Sequence, residues 1–160
     1  MKAIVIYASK HGSTERVAEK IALGLGAETE KISIQESKKL AMEKYDLVVI
    51  GGSIHAGSIQ RKIKKFCRDN LASLLKIKLA LFICCMEDGE SAEKQLGNAF
   101  PAELLEHAIA SDYLGGEFNF DRMNFLEKAI IKKISGETES VSKLKEEKIQ
   151  VFINKLKEGI

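Results

Sequence analysis

The sequence predicts an α/β fold: a doubly wound parallel sheet of five strands with helices on both faces, in three layers. Three observations predict it. Short apolar runs recur along the chain and are continuous, as strands covered on both faces require. Segments with apolar residues at helical spacing lie between those runs. No repeat or low-complexity linker interrupts the 160 residues, so one domain over 1–160 is expected, with a helical insert around 119–140.

The elements follow in order. Ala3–Tyr7 "AIVIY" is the first strand, and Val17, Ala18, Ile21, Ala22 and Leu25 form the stripe of the first helix, which ends at Gly24 and Gly26. Glu28–Ile34 "ETEKISI" alternates, which suits a strand near the sheet edge. Asp46–Ile50 "DLVVI" is the next buried strand. Ile59, Ile63, Phe66, Cys67, Leu71 and Leu74 line one face of a second helix whose other face is Arg and Lys. Leu79–Cys84 "LALFIC" is a third continuous run. Ser91–Asn98 reads as a helix, and Pro101, the only proline, opens a short one, "PAELLEH". Ile109–Phe118 "IASDYLGGEF" is the last strand, and Glu146–Leu156 the last helix, with Ile149, Phe152, Ile153 and Leu156 in register.

Composition narrows the function classes. A hydrophobic content of 45% and a charged content of 30% are ordinary for a globular protein. The net charge of +2 arises from 25 basic and 23 acidic side chains that are interspersed, which argues against nucleic acid as a partner. Three cysteines without a CxxC pair argue against a disulfide framework or a metal site. Cys67, Cys84 and Cys85 read as buried thiols of a reducing cytosol. "KAIVIY" carries no signal-peptide pattern, and no apolar stretch is long enough to span a bilayer. The expected location is cytoplasmic, at most peripheral at the inner face of the membrane.

In a doubly wound sheet the ligand sits beyond the carboxyl ends of the strands, so the loops there carry the chemistry. After the first strand comes "SKHGST", Ser9 to Thr14. A helix N-terminus presents unpaired N–H groups and a positive dipole end, a natural phosphate seat, to which the Ser9, Ser13 and Thr14 hydroxyls add donors. The same residues also suit an ordinary N-cap. "GGSIHAGSIQ" follows Ile50; its glycines at 51, 52 and 57 allow a loop that lies flat on a planar ligand, or a plain turn. "CCMEDGE", Cys84 to Glu90, offers backbone groups, Met86, and the carboxylates of Glu87 and Asp88. A nucleophilic cysteine needs a base, and no pattern pairs one with His55, so core or loop thiols are the better reading.

With these loops and five strands, the chain resembles the flavodoxin-like FMN-binding family. Within it the chain is similar to the menaquinone-dependent protoporphyrinogen oxidase branch, on "IGGSIHAGSI" and on "MNFLEKAIIKKISGETES", Met123 to Ser140. The resemblance implies strand order 2-1-3-4-5 and the cofactor FMN. Ser9, Lys10, His11, Gly12, Ser13 and Thr14 would hold the flavin phosphate. Ser53, Ile54, His55, Ala56 and Gly57 would lie along one side of the ring system. Cys84, Cys85, Met86, Glu87, Asp88 and Gly89 would line the other side. His55 is the one candidate for proton transfer; no other catalytic residue is named.

The chain departs from the usual flavodoxin pattern in three ways. His11 stands where a hydroxyl is usual, no Trp is present to stack on the flavin, and the charge is +2 where flavodoxins are strongly acidic. Met86 or Ile54 would fill the stacking role. The resemblance implies an oxidoreductase that passes reducing equivalents from protoporphyrinogen IX to menaquinone. Two alternatives stand beside it: an electron carrier between redox partner proteins, and a flavin-free binding module. In the late insert, Phe125, Leu126, Ala129, Ile130 and Ile134 share a face opposite Lys128, Lys132 and Lys133. That helix either packs on the domain or acts as a lid over the flavin or a contact to a quinone-bearing membrane around 121–134.

Overall fold

The computed structural model describes residues 1–118, 124–135 and 141–160. Met123 and Gly136 to Ser140, part of the segment that carries the narrower resemblance, lie outside the described residues. The elements run β1 (Ala3–Tyr7), α1 (Ser13–Leu25), β2 (Thr29–Ser33), two 3-10 turns, β3 (Leu47–His55), β4 (Ser58–Ile59), α2 (Arg61–Asp69), α3 (Leu71–Leu74) and β5 (Lys78–Cys84). They continue α4 (Gly89–Ala99), α5 (Ala102–His107), β6 (Ala110–Tyr113), β7 (Gly115–Phe118), α6 (Phe125–Ser135), β8 (Val141–Leu144) and α7 (Glu146–Glu158).

The main sheet has the order β2-β1-β3-β5-β6, all pairs parallel, with β4 hydrogen-bonded to β3 as an antiparallel hairpin. Numbered among the five parallel strands alone, that order is the expected 2-1-3-4-5.

Strand alternation sorts the core into two layers. Ile4, Ile6, Val48, Ile50, Leu79, Leu81 and Ile83 point to the face covered by α2 to α5, through Ile63, Cys67, Leu74, Ala92 and Leu104. Ala3, Val5, Leu47, Val49, Ala80 and Phe82 point to the other face, where α1 and α7 bring Val17, Ala18, Ile21, Phe152, Ile153 and Leu156. Each such large side chain stabilises the fold by about 1.5–3 kcal/mol through burial. At the centre, Gly51 of β3 lies in register with Phe82 of β5. A Cβ on Gly51 would stand 2.0 Å from the Phe82 ring, which itself meets Phe152 edge-on at 6.2 Å between centroids. The missing side chain is what admits the aromatic.

Three sequence expectations change. The expected strand Ile109–Phe118 divides after Tyr113: β6 stays in the sheet, whereas β7 leaves it and pairs antiparallel with β8. Gly115, at φ 82°, makes the departure, and its missing side chain lets the Lys143 carbonyl approach. The helix expected from Ile59 to Leu74 is shorter, because Ile59 belongs to β4 and Asn70 separates α2 from α3. The "GGSIHAG" segment is strand as far as His55, followed by a two-residue turn at Ala56 and Gly57. Both turn residues have positive φ, 49° and 78°, as a tight hairpin turn requires. The end of this strand is hidden in the sequence because Gly51, Gly52 and Ser53 are buried without an apolar side chain to mark them.

Candidate functional site

β1, β3 and β5 are parallel neighbours, so their carboxyl ends open on one edge of the sheet and bring three of the expected segments together. The first is the turn from β1 into α1. Ser9 Oγ accepts from the Gly12 N–H at 3.0 Å, and Gly12, at φ 95°, aims the chain into the helix. No side chain caps α1 at Gly12, which leaves the first turn's N–H groups without a side-chain acceptor there. His11, Gly12, Ser13 and Thr14 are buried, and Lys10 is exposed. Thr14 Oγ1 is buried, with the buried Cys84 thiol beside it as a weak partner and no nitrogen or oxygen hydrogen-bonded to it among the described residues.

The second segment is the β3–β4 hairpin. Gln60, just after it, ties the first two together. Its amide nitrogen donates to the Ala8 carbonyl at 3.2 Å and to Ser53 Oγ at 2.7 Å, and its oxygen accepts from the Ser53 N–H at 2.9 Å. Ser53 Oγ also meets His55 Nε2 at 2.9 Å. Ile54 is half-buried; His55, Ala56 and Gly57 are exposed at the tip. The His55 and His11 rings meet edge-on at 5.9 Å between centroids. Desolvation, then repulsion from His11 and Lys10, holds the His55 imidazole below its ordinary pKa, against the opposing pull of Glu127.

The third segment leaves β5. Cys84 and Cys85 are buried, Met86 is half-buried, and Glu87, Asp88 and Gly89 are exposed. Burial pushes the Cys84 thiol up to about 12 and the Cys85 thiol to about 11, and Cys67, in the α2 interface, also to about 12. Such thiols are protonated at neutral pH and are not nucleophiles, in line with the sequence reading. Asp88 caps α4 through the Gly89 N–H at 2.9 Å and pairs with Lys145 at 2.9 Å. Lys145, then the Gly89 N–H, holds its carboxyl below the ordinary range.

Sequence reasoning missed the residues that clasp these loops from the β7–α6–β8 excursion. Arg16 of α1 pairs through one nitrogen with both oxygens of Glu117 on β7, at 3.1 and 3.0 Å. Glu127, on α6, reaches the first loop: its Oε2 stands 2.7 Å from His11 Nε2 and 3.1 Å from Lys10 Nζ. Asn124 caps α6 by accepting from the Glu127 N–H at 2.9 Å, which fixes that carboxylate over the loop. Desolvation alone would raise the Glu127 pKa, but the Lys10 hydrogen bond and the His11 and Lys10 charges outweigh it and hold the carboxyl low. These partners are far apart in sequence, and no local pattern announces them. Gln60 alone was within reach, as the polar residue that closes "GGSIHAGSIQ".

α6 does not bury the apolar face the pattern suggested. Phe125, Leu126 and Ile130 are 89%, 67% and 47% exposed, with Lys128, Lys132 and Lys133 on the same helix. No helix among the described residues is long and apolar enough to cross a membrane.

The site geometry therefore provides a helix N-terminus where the Lys10 ammonium and the His11 ring already grip a carboxylate, beside a hairpin and a carboxylate-bearing loop. The sequence model of a flavodoxin domain matches residues 4–145. Among solved structures, a flavodoxin from the domain Archaea is 22% identical with a TM-score of 0.53, covering 76% of this chain and 89% of its own. Oxidised flavodoxin 1 from Bacillus cereus is 17% identical at TM-score 0.54, covering 100% of this chain and 99% of its own. A short-chain flavodoxin associated with a bacterial microcompartment is 14% identical at TM-score 0.62, with 99% of both chains covered. No curated protein sequence matches the chain.

Proposed function

Since the chain belongs to the flavodoxin domain family, we propose that it binds FMN at the edge formed by the three loops and carries electrons between partner proteins. One observation carries the reading: the turn into α1 is an anion seat, because Lys10 and His11 already hold the Glu127 carboxylate at 3.1 and 2.7 Å. That carboxylate stands in for a phosphate oxygen. The buried Thr14 hydroxyl, weakly engaged by the Cys84 thiol, and the uncapped helix N-terminus fit the same group.

The residues divide the work. Ser9 to Thr14 would bind the phosphate through N–H groups, hydroxyls and the Lys10 ammonium. Ser53 to Gly57 would border the ring on one side, and Cys85 to Gly89 on the other. Bound FMN supplies one- and two-electron redox chemistry. The chain supplies orientation, and His55 is the group within it able to hold or release a proton at the hairpin tip. Its lowered pKa leaves it neutral at pH 7, an acceptor or donor without a fixed charge.

A second reading has its own observation. The exposed Phe125, Leu126 and Ile130, flanked by Lys128, Lys132 and Lys133, are what an amphipathic helix offers an anionic bilayer. On that reading the flavin would exchange reducing equivalents with a membrane quinone such as menaquinone, with a porphyrinogen as donor. The carrier reading needs no such surface, and the flavodoxin family favours it.

The test is the visible spectrum of the purified protein after incubation with FMN and removal of the excess. Retained flavin absorbance supports the redox readings, and its absence sinks both and leaves a flavin-free binding module. With flavin retained, quinone-dependent turnover that needs Phe125 and Leu126 selects the membrane reading, whereas exchange with soluble redox proteins alone selects the carrier.

A further inference from the structure

A groove of about 700 Å³ runs from the carboxyl end of β2 along α2. Its floor is apolar, from Ile34, Leu40 and Phe66, and its rim carries Lys38, Lys62 and Lys65 with the one carboxylate of Asp69. The charge continues beyond the groove. Within its nine residues α2 carries Arg61, Lys62, Lys64, Lys65 and Arg68 against the single carboxylate of Asp69, and Lys39 adjoins Lys38.

These side chains account for +6 while the whole chain carries +2, so the remainder is acidic at −4. Five of the seven basic residues lie on α2 itself, and the fold brings Lys38 to the same groove. Nearby carboxylates cancel part of this charge: Asp69 offsets Lys65, and Glu36, which accepts from the Ser33 N–H at 3.0 Å, adds one more negative charge and leaves the patch strongly positive.

We propose that this face docks an acidic protein segment, with glutamates or aspartates on the lysine rim and an apolar side chain in the groove. Three features choose that occupant. The positive charge spreads well past the groove, so its complement is larger than a small anion. The surface is concave, unlike the convex apolar ridge of α6 that would suit a bilayer. The groove presents one partly buried aromatic, Phe66, and no row of rings on which bases would stack.

Opposite charge across such a surface speeds encounter and sets partner choice more than it adds affinity. The docking stands apart from the flavin reading; only its use in electron transfer rests on it. In that case Gln60, which bonds to Ser53 and Ala8 and directly precedes α2, places the partner beside the hairpin.

The experiment is fluorescence anisotropy of a fluorescein-labelled peptide of glutamates interrupted by leucines, titrated with the full chain in flavin-free and FMN-treated forms. Binding is expected in both, weakening steeply as salt rises from about 0.05 to about 0.5 M. Lys38→Glu with Lys62→Glu should weaken it by about tenfold or more, since each change replaces attraction with repulsion. Lys155→Glu with Lys157→Glu, on α7, should leave it unchanged. Circular dichroism establishes that each variant is folded. Equal loss in both double variants, or none in the first, overturns the proposal. So does preference for anionic vesicles or duplex DNA over the peptide, with that preference removed by the first double variant. Failure of FMN binding with peptide binding intact leaves the docking surface standing and removes only its redox role.

Discussion

Replacing Glu127 with glutamine keeps the size and hydrogen-bonding shape of the side chain and removes its charge from the anion seat. The carboxylate lies 3.1 Å from Lys10 Nζ and 2.7 Å from His11 Nε2, so an entering phosphate either displaces it or sits beside it. Both routes cost binding energy, and both costs vanish in the variant. Two unit charges about 3 Å apart interact by about 1.4 kcal/mol at the dielectric of water. Lys10 is largely exposed, and measured exposed pairs reach only about 0.2–1 kcal/mol. The expected gain is therefore about 1 kcal/mol, or about fivefold tighter FMN binding. Quenching of FMN fluorescence during titration measures it, with Glu146→Gln on α7 as the control. Unchanged or weaker affinity in Glu127→Gln refutes the claim that Lys10 and His11 face the phosphate.

Three further outcomes follow from the geometry. His55 should titrate below 6.5 by NMR, and His11→Gln should return part of the shift, because desolvation, the larger cause, remains. The unfolded chain binds that proton more readily, so this group makes stability fall as pH drops below about 6.5, and the loss is complete and constant below its folded pKa. The three thiols should react with Ellman's reagent at pH 8 only slowly in the folded protein and fully after denaturation, since burial sets them at about 11 to 12. A thiol that reacts at the rate of a free cysteine contradicts that burial. Gly51→Ala should lower the thermal midpoint and cost about 1–3 kcal/mol or more, because the new methyl falls on Phe82 at the centre of the sheet. An unchanged midpoint contradicts the packing.

The sheet was legible because its signal is local. Continuous apolar runs at Ala3–Tyr7 and Leu79–Cys84 require cover on both faces, and the stripes of α1 and α7 supply it on one of them. The loop from Ser9 to Thr14 was legible for the same reason, since hydroxyls and a glycine at a strand-to-helix junction are adjacent in sequence. The hairpin was only half legible: its glycines suggested a loop, but Gly51 and Gly52 pair with Phe82 and Ile83 of β5, and Ile54 pairs onward with Ile59.

What surrounds the anion seat was not legible at all. Glu127 and Glu117 stand about a hundred residues from Lys10, His11 and Arg16, and charged side chains on a solvated face carry no periodicity that names a partner. The amino-acid sequence by itself determined the layered parallel sheet, because burial of apolar side chains dictates it, and with the sheet the loops that leave the carboxyl ends of its strands. Tertiary structure alone decided that an excursion from the last sheet strand returns a carboxylate to that edge, and that Lys38 joins the basic face of α2 across a groove. Charge pairing acts through space over a few ångströms, whichever chain positions the fold brings there.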